Sequence, residues 1–272
     1  MHQFPLGSAK ITIFNTGDLR ADLANWFDKR ADDWPQYRHW LAHPIAVPMN
    51  CVHISLGDAS VLVDACDANC FIGTEFHLPG TPQQPPLPDQ MRAAGIAPES
   101  VTHVVITHAH TDHWSGLILS DSPPALGVGF PNAQHYVGRE DFEHEPSNSP
   151  FGVEGLLQAR NQLICVARDL PIAPDIDILA APGETPGHQI VRVKSEGQTL
   201  YVIGDLYHHE VEFAQPDWNV TWADAHANAI SREKFTAAVL AENAHFIAAH
   251  IRGVGQFNRA TNEVVWRDGV AK

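Results

Sequence analysis

Basic side chains are scarce in this chain of 272 residues, with 17 Lys and Arg against 32 Asp and Glu and a formal net charge of -15. Binding to a phosphate backbone needs clustered Lys and Arg, so no nucleic acid is expected as a partner. The acidic excess is spread along the chain and reads as a solvated face. Long apolar runs are also missing. None approaches the ~20 residues a membrane helix requires, so no membrane partner is expected. The opening Met1-His2-Gln3-Phe4-Pro5 has neither the basic n-region nor the apolar h-region of a secretory signal, and a cytoplasmic location is the expectation. Cysteine is limited to Cys51, Cys66, Cys70 and Cys165. Asp67 and Asn69 between Cys66 and Cys70 describe a loop and not a zinc knuckle, and idle thiols suit a reducing compartment. There is no obvious internal repeat.

What the chain does have is enough apolar residue, 44%, for a core, and one unusual stretch. Thr107-His108-Ala109-His110-Thr111-Asp112-His113 follows the apolar run Val104-Val105-Ile106. Such a run reads as a buried strand, so the histidines emerge from its end into a loop. Imidazole and carboxylate are the nitrogen and oxygen donors that zinc and other borderline metals accept. His108 and His110, two apart, can converge on one ion. Asp112 and His113 belong to the next turn and can face a second. A solvated polar turn is the alternative, and one histidine alone would favour it. H-x-H-x-D-H does not, and the stretch is read as a metal site.

This motif resembles that of the metallo-β-lactamase-fold hydrolases, in which H-x-H-x-D-H is followed at long range by a histidine, a bridging aspartate and a final histidine. Pro186-Gly187-His188, Ile203-Gly204-Asp205 and Ala248-Ala249-His250 match those later positions, and the resemblance covers roughly residues 45 to 255. It implies that His108, His110 and His188 hold one metal. Asp112, His113 and His250 would hold the other, with Asp205 bridging. It also implies two divalent ions, zinc first, and an α/β chain folded as a metallo-β-lactamase-like four-layer αβ/βα sandwich. No boundary is visible, so residues 1–272 are read as one domain.

Taken in order, Lys10 to Phe14 suits an opening strand ended by Asn15-Thr16-Gly17-Asp18. Trp34, Tyr37 and Trp40 recur every three residues behind Pro35. They read either as a helix packing on the body or as a lid or subunit contact of a homodimer. Val47 to Leu56 and Ser60 to Asp64 read as a hairpin around Gly57-Asp58. Asp64 is expected to support a ligand by a hydrogen bond. The proline-rich 78–88 stretch reads as a surface loop edging the substrate pocket, with a helix from Asp89 to Ala94 stopping at Gly95. Residues 117–119 are expected to continue the pocket wall, Pro123-Pro124 marks a loop, and a strand spans Gln134 to Val137. Residues 153 to 168 carry a helical period. Beyond the strand Ile176 to Leu179, two prolines and two glycines form a rigid turn that presents His188. Ile190 to Val193 and Thr199 to Ile203 read as a second hairpin around Glu196-Gly197. Ser231 reads as the cap of a helix through Leu240, and strands are expected at His245 to Ala249 and Val264 to Trp266.

Within the resembled superfamily, flavo-diiron proteins usually carry a glutamate where His110 stands and add a flavin domain. Glyoxalase II-like thioesterases add a glutathione-binding region, for which the short tail after His250 leaves little room. Ribonuclease Z-like nucleases need basic surface. Zinc β-lactamases lack an aspartate where Asp112 stands and keep a cysteine where Asp205 stands. What remains resembles the quorum-quenching lactonases and the methyl parathion hydrolase-like esterases. That resemblance implies a dinuclear metal hydrolase of small, largely uncharged esters, lactones first, with a phosphotriesterase as the alternative. A β-lactamase-like, phosphodiesterase or non-catalytic metal-binding member ranks behind both. Lactonases place a substrate-polarising tyrosine shortly after the bridging aspartate, so the catalytic candidates are Asp112, Asp205, Tyr207 and His208, the last two competing for that place. Trp114 and the prolines of residues 79–88 are expected to make the pocket apolar.

Overall fold

The computed structural model describes residues 1–117, 128–144 and 161–267. One sheet holds, side by side in chain order, β1 (His2–Leu6), β2 (Ala9–Ala21), β3 (Ile45–Leu56), β4 (Ala59–Val63), β5 (His103–Val105), β6 (Gln134–Gly138) and β7 (Leu163–Val166). A second holds β8 (Leu170–Ala173), β9 (Ile176–Ala180), β10 (Gln189–Ser195), β11 (Gln198–Val202), β12 (His245–Ile247), β13 (Val254–Phe257) and β14 (Val264–Arg267), also in chain order. The strands from β4 to β7 run parallel, as do β11 and β12, and the remaining pairs are antiparallel.

Alternation along the strands builds the layers. Val61, Val63 and Val105 of the first sheet join Leu200, Val202 and Ile247 of the second in one core between the sheets. Their neighbours Leu62 and Val104 face outward, into a core with Leu23 of α1 (Leu23–Trp26), Leu41 of α2 (Arg38–Leu41) and Met91 of α3 (Leu87–Ala93). On the far side, Tyr201 and Phe246 pack on Phe235 and Val239 of the long helix Ala225–Glu242. Helix, sheet, sheet and helix therefore stack in the αβ/βα order that the sequence implied.

Several local expectations change. Asn15-Thr16-Gly17-Asp18 does not end β2; the strand runs through it with a register shift between Asn15 and Asp18. Residues 163–166 are a parallel strand and not helix, while 153–160, 118–119 and Pro123-Pro124 lie outside the described residues. A short apolar run does not distinguish a buried parallel strand from a helix. Ser231 sits inside its helix, donating to the Pro182 carbonyl at 2.6 Å, and the cap is Asp224, whose carboxylate accepts from the His226 and Ala227 N–H groups. The helix after the prolines begins at Leu87, with Pro88 in its first turn. The Trp34 stretch is a 3-10 turn and the one-turn α2, half-buried on the segment around Trp218, 5.0 Å from Trp34 between ring centres.

Candidate metal centre

Parallel pairing decides where the site lies. β4 and β5 end on one edge, so Asp64 and Thr107 emerge together, and the Thr107 N–H and hydroxyl donate to the Asp64 carboxylate at 2.8 and 3.0 Å. β11 and β12 are the second parallel pair and deliver Asp205 and His250 to the same place. Gly204 makes this approach possible: its φ is +50°, and a Cβ there would lie 2.7 Å from the Thr107 side chain. The chain on either side of His250 is pinned to β3. Asn50 donates to the Ala248 and Ile251 carbonyls, and the Pro48 carbonyl accepts from His250 Nδ1 at 2.9 Å.

Asp112 Oδ2, His113 Nε2, Asp205 Oδ2 and His250 Nε2 converge. The His113–Asp205 and His250–Asp205 separations are both 3.3 Å, His250–Asp112 is 3.2 Å and His113–Asp112 is 3.7 Å. A tetrahedral zinc ion with bonds of about 2.0–2.2 Å holds its donors about 3.3–3.6 Å apart, so this set fits one ion. A second group is His108 Nε2, His110 Nδ1 and Glu184, with 2.9 Å between the histidines and 3.2 Å from His110 to Glu184. Asp205 Oδ2 stands between the groups, 3.8 Å from His108 Nε2. His188 lies beside His108, 5.2 Å between ring centres, yet outside both groups. Its Nδ1 donates to the Ala181 carbonyl, and its Nε2 accepts the Asp205 backbone N–H at 3.2 Å.

Buried polar atoms nearly always find a partner. Here His113 Nε2, Asp205 Oδ1, Glu184 Oε2 and both ring nitrogens of His208 have no hydrogen-bond partner among the described residues, and all belong to this cluster. The charges agree with a cation site. Burial works against a charged His250, but Asp205 and Asp112 outweigh it and push its pKa up to about 10. His113 is likewise held well above its usual value, against burial, by Asp205, Asp64 and Asp112. Burial would raise the Asp205 carboxyl, but His250, His113 and His208 hold it well below its usual range. His108 moves the other way, pushed well down by burial and by His113 and His110, so it offers a neutral nitrogen. A site that draws protons so strongly offers the same lone pairs to a metal ion.

Two supports were not anticipated from the sequence. Asp141, on α4 (Arg139–His144), accepts from Ala109 N–H at 3.0 Å, the Thr185 hydroxyl at 2.7 Å and Gly187 N–H at 2.6 Å. It ties the His108 loop to the His188 turn. Buried Glu212 accepts the N–H groups of His208 and His209 and pairs with Arg232, whose remaining donors reach the Leu206 and Trp218 carbonyls.

A cavity of about 520 Å³ opens over the cluster. Its floor holds His110, Asp112, Glu184, Asp205, His208 and His250, and its walls include Trp26, Phe71, Phe76 and Trp222. Trp114 and the 79–88 prolines are absent from the described lining. Trp114 is buried in the outer core, donating to the Ala109 carbonyl, while Pro82 lines a smaller neighbouring cavity. Tyr207 is also absent. Its ring stacks on Phe213 at 3.9 Å and under the Arg232 guanidinium at 4.5 Å, which corrects its expected place in the site. His208 is the one that faces the cavity, its Nε2 3.4 Å from both Asp205 and Glu184.

Residues 79–231, more than half of the chain, match the family described as the metallo-beta-lactamase superfamily. The chain belongs to that superfamily. Among curated members, an N-acyl homoserine lactonase of Bacillus sp is 25% identical over 185 residues, which are 62% of this chain and 70% of that protein. The N-acyl homoserine lactonase AttM of Azorhizobium caulinodans is 30% identical over 131 residues, 43% of this chain and 46% of its own length. The fold recurs in AidC, a dizinc quorum-quenching lactonase solved with a product, with a TM-score of 0.77 at 18% identity, covering 97% of this chain and 96% of that one. It recurs again in a probable metal-dependent hydrolase from Staphylococcus aureus, with a TM-score of 0.79 at 16% identity, covering 98% and 100%.

Proposed function

We propose that this superfamily member is a dinuclear metal-dependent hydrolase of small, largely uncharged esters, with lactones ahead of phosphotriesters, and that zinc is the metal. The observation that carries the reading is the placement of Asp205 between two histidine–carboxylate groups on the floor of an aromatic cavity. In this reading His108, His110 and His188 would hold one ion, His188 giving up the Asp205 N–H at Nε2 to do so, while Asp112, His113 and His250 would hold the other and Asp205 would serve both. Bound there, two divalent ions would supply a water acidic enough to act as nucleophile at neutral pH, and a Lewis acid for the oxygen under attack. The protein supplies the rest. Trp26, Phe71, Phe76 and Trp222 bind an acyl chain and exclude water. His208 Nε2 stands 3.4 Å from both Glu184 and Asp205 at the cavity floor, where its ring can hold and pass a proton. From there it can protonate a leaving alkoxide.

Substrate charge follows from the walls. Arg20 is the one Lys or Arg in the described lining, against Asp22, Glu75, Asp112, Glu184 and Asp205. Asp112, Glu184 and Asp205 are spoken for by the proposed ions, and what is left of the described lining offers no cluster of Lys or Arg to clamp an anionic phosphodiester, a clamp that a neutral lactone does not need. The lactonase relatives named above point the same way. We further propose a single domain and a cytoplasmic location; no described helix is long and apolar enough to cross a membrane. Steady-state rates on an acyl-homoserine lactone, an aryl acetate, a dialkyl aryl phosphate and a phosphodiester test the reading. The lactone should lead. A phosphodiester preferred by a factor of about ten or more would overturn it.

A further inference from the structure

We infer that Glu184 is a further metal ligand, supplying a carboxylate to the ion that His108 and His110 would hold. The inference rests on the dinuclear reading above and goes beyond it. Sequence reasoning assigned no role to Glu184, although it precedes His188 in the same rigid turn, Pro182-Gly183-Glu184-Thr185-Pro186-Gly187-His188.

Three observations converge on it. First, the Glu184 side chain is almost fully buried, and no Lys or Arg pairs with it among the described residues. The described groups facing this buried carboxylate are the imidazoles of His110 and His208, and a buried carboxylate in such company is either ion-paired with them or coordinates a metal. Second, its neighbours are donors to a metal site. His110 Nδ1 is 3.2 Å away, and that nitrogen is itself 2.9 Å from His108 Nε2. These separations are close to donor–donor edges around one tetrahedral ion. Third, the carboxylate is held in place but not satisfied. Oε1, the oxygen facing His110 and His208, accepts from Trp222 Nε1 at 2.6 Å, while Oε2 is buried without a hydrogen-bond partner among the described residues. The turn is rigidly set. A Cβ on Gly183 would strike the Asn228 backbone, and Thr185 and Gly187 are fixed by Asp141. Glu184 therefore reaches the site without a change of backbone.

The alternative role is an acceptor that only positions Trp222. Substitutions separate the two. Metal-depleted parent, Glu184→Gln, Trp222→Phe, His113→Ala and the double Glu184→Gln/His113→Ala variants would be titrated with zinc. Metal content would then be measured after challenge with a graded chelator, with cobalt absorption as the coordination readout. The parent should retain two equivalents. Glu184→Gln, which keeps shape and removes charge, should bind one of them tenfold or more weakly and shift the cobalt bands, while Trp222→Phe keeps both ions. The double variant should lose both. If Glu184→Gln holds two ions as tightly as the parent with unchanged cobalt spectra, or if Trp222→Phe reproduces its loss, Glu184 is not a ligand. A parent that never exceeds one equivalent would instead overturn the dinuclear reading itself.

Discussion

Asp64 Oδ2 accepts a hydrogen bond from His113 Nδ1 at 2.8 Å, which fixes the proton on that nitrogen and leaves Nε2 facing Asp205 and Asp112. The same carboxylate takes two bonds from Thr107. It supports the histidine from behind, as the end of the β3–β4 hairpin suggested. Asp64 has a φ of +60°, a conformation that asparagine also tolerates. Asp64→Asn should therefore keep the backbone and lower metal affinity by roughly 10–100-fold. Chelator competition measures it, and unchanged affinity would refute the role.

Asp205→Asn keeps the shape of the side chain and removes its charge. With four histidines within 3.8 Å of the carboxylate, the neutral variant should lose at least one ion and roughly 100-fold or more in activity. Turnover and metal content equal to the parent would show that Asp205 is not the bridge.

Asp141→Ala acts away from the proposed ligands. It strands two backbone N–H groups and the Thr185 hydroxyl at a buried junction, which should cost about 3 kcal/mol or more. A urea titration should show the midpoint falling at unchanged slope, with weaker metal retention.

The pH dependence of stability has a source far from the cavity. Burial, with Lys10 nearby, holds His53 down at about 4, while an unfolded histidine titrates near 6.5. Below 6.5 the unfolded chain binds the extra proton. The contribution of His53 is therefore complete above that pH and is lost as pH falls towards 4. Between pH 7 and 5 the loss is about 2 kcal/mol. His53→Gln keeps a partner for Ser60, and its stability should fall less over that interval by about that amount. The comparison is urea unfolding of both proteins at the two pH values with chelator present, and equal slopes would contradict it.

The legible parts of the sequence were those written in local spacing. Gly57-Asp58 and Glu196-Gly197 sit in turns between alternating strands, and Leu56 pairs with Ala59 and Ser195 with Gln198, as hairpins require. His108, His110, Asp112 and His113 were readable because four donor side chains in six residues have few other uses. The illegible parts depend on distant partners. Asp141 looks like an ordinary acid in the first turn of a helix until folding brings Gly187 to it. Tyr207 and His208 are adjacent in the chain, and it is distant partners, Phe213 and Arg232 around the tyrosine ring and Glu212 on the His208 N–H, that leave the histidine facing the cavity. Leu163 to Val166 becomes a strand because β6 offers it an edge, which no local period records.

Each sheet is drawn from one half of the chain, residues 2–166 and then 170–267, and this has a consequence during synthesis. When residue 166 leaves the ribosome, a whole sheet can form with its inner valines and isoleucines uncovered. At about 5–20 residues per second the covering half needs roughly 5–20 s more, an interval in which the nascent chain is open to aggregation. The donors are split between the halves too, with His108, His110, Asp112 and His113 in the early one and His188, Asp205 and His250 in the late one. The complete set exists only after His250 has emerged, so any ion that needs the whole set is acquired by a chain already past that point.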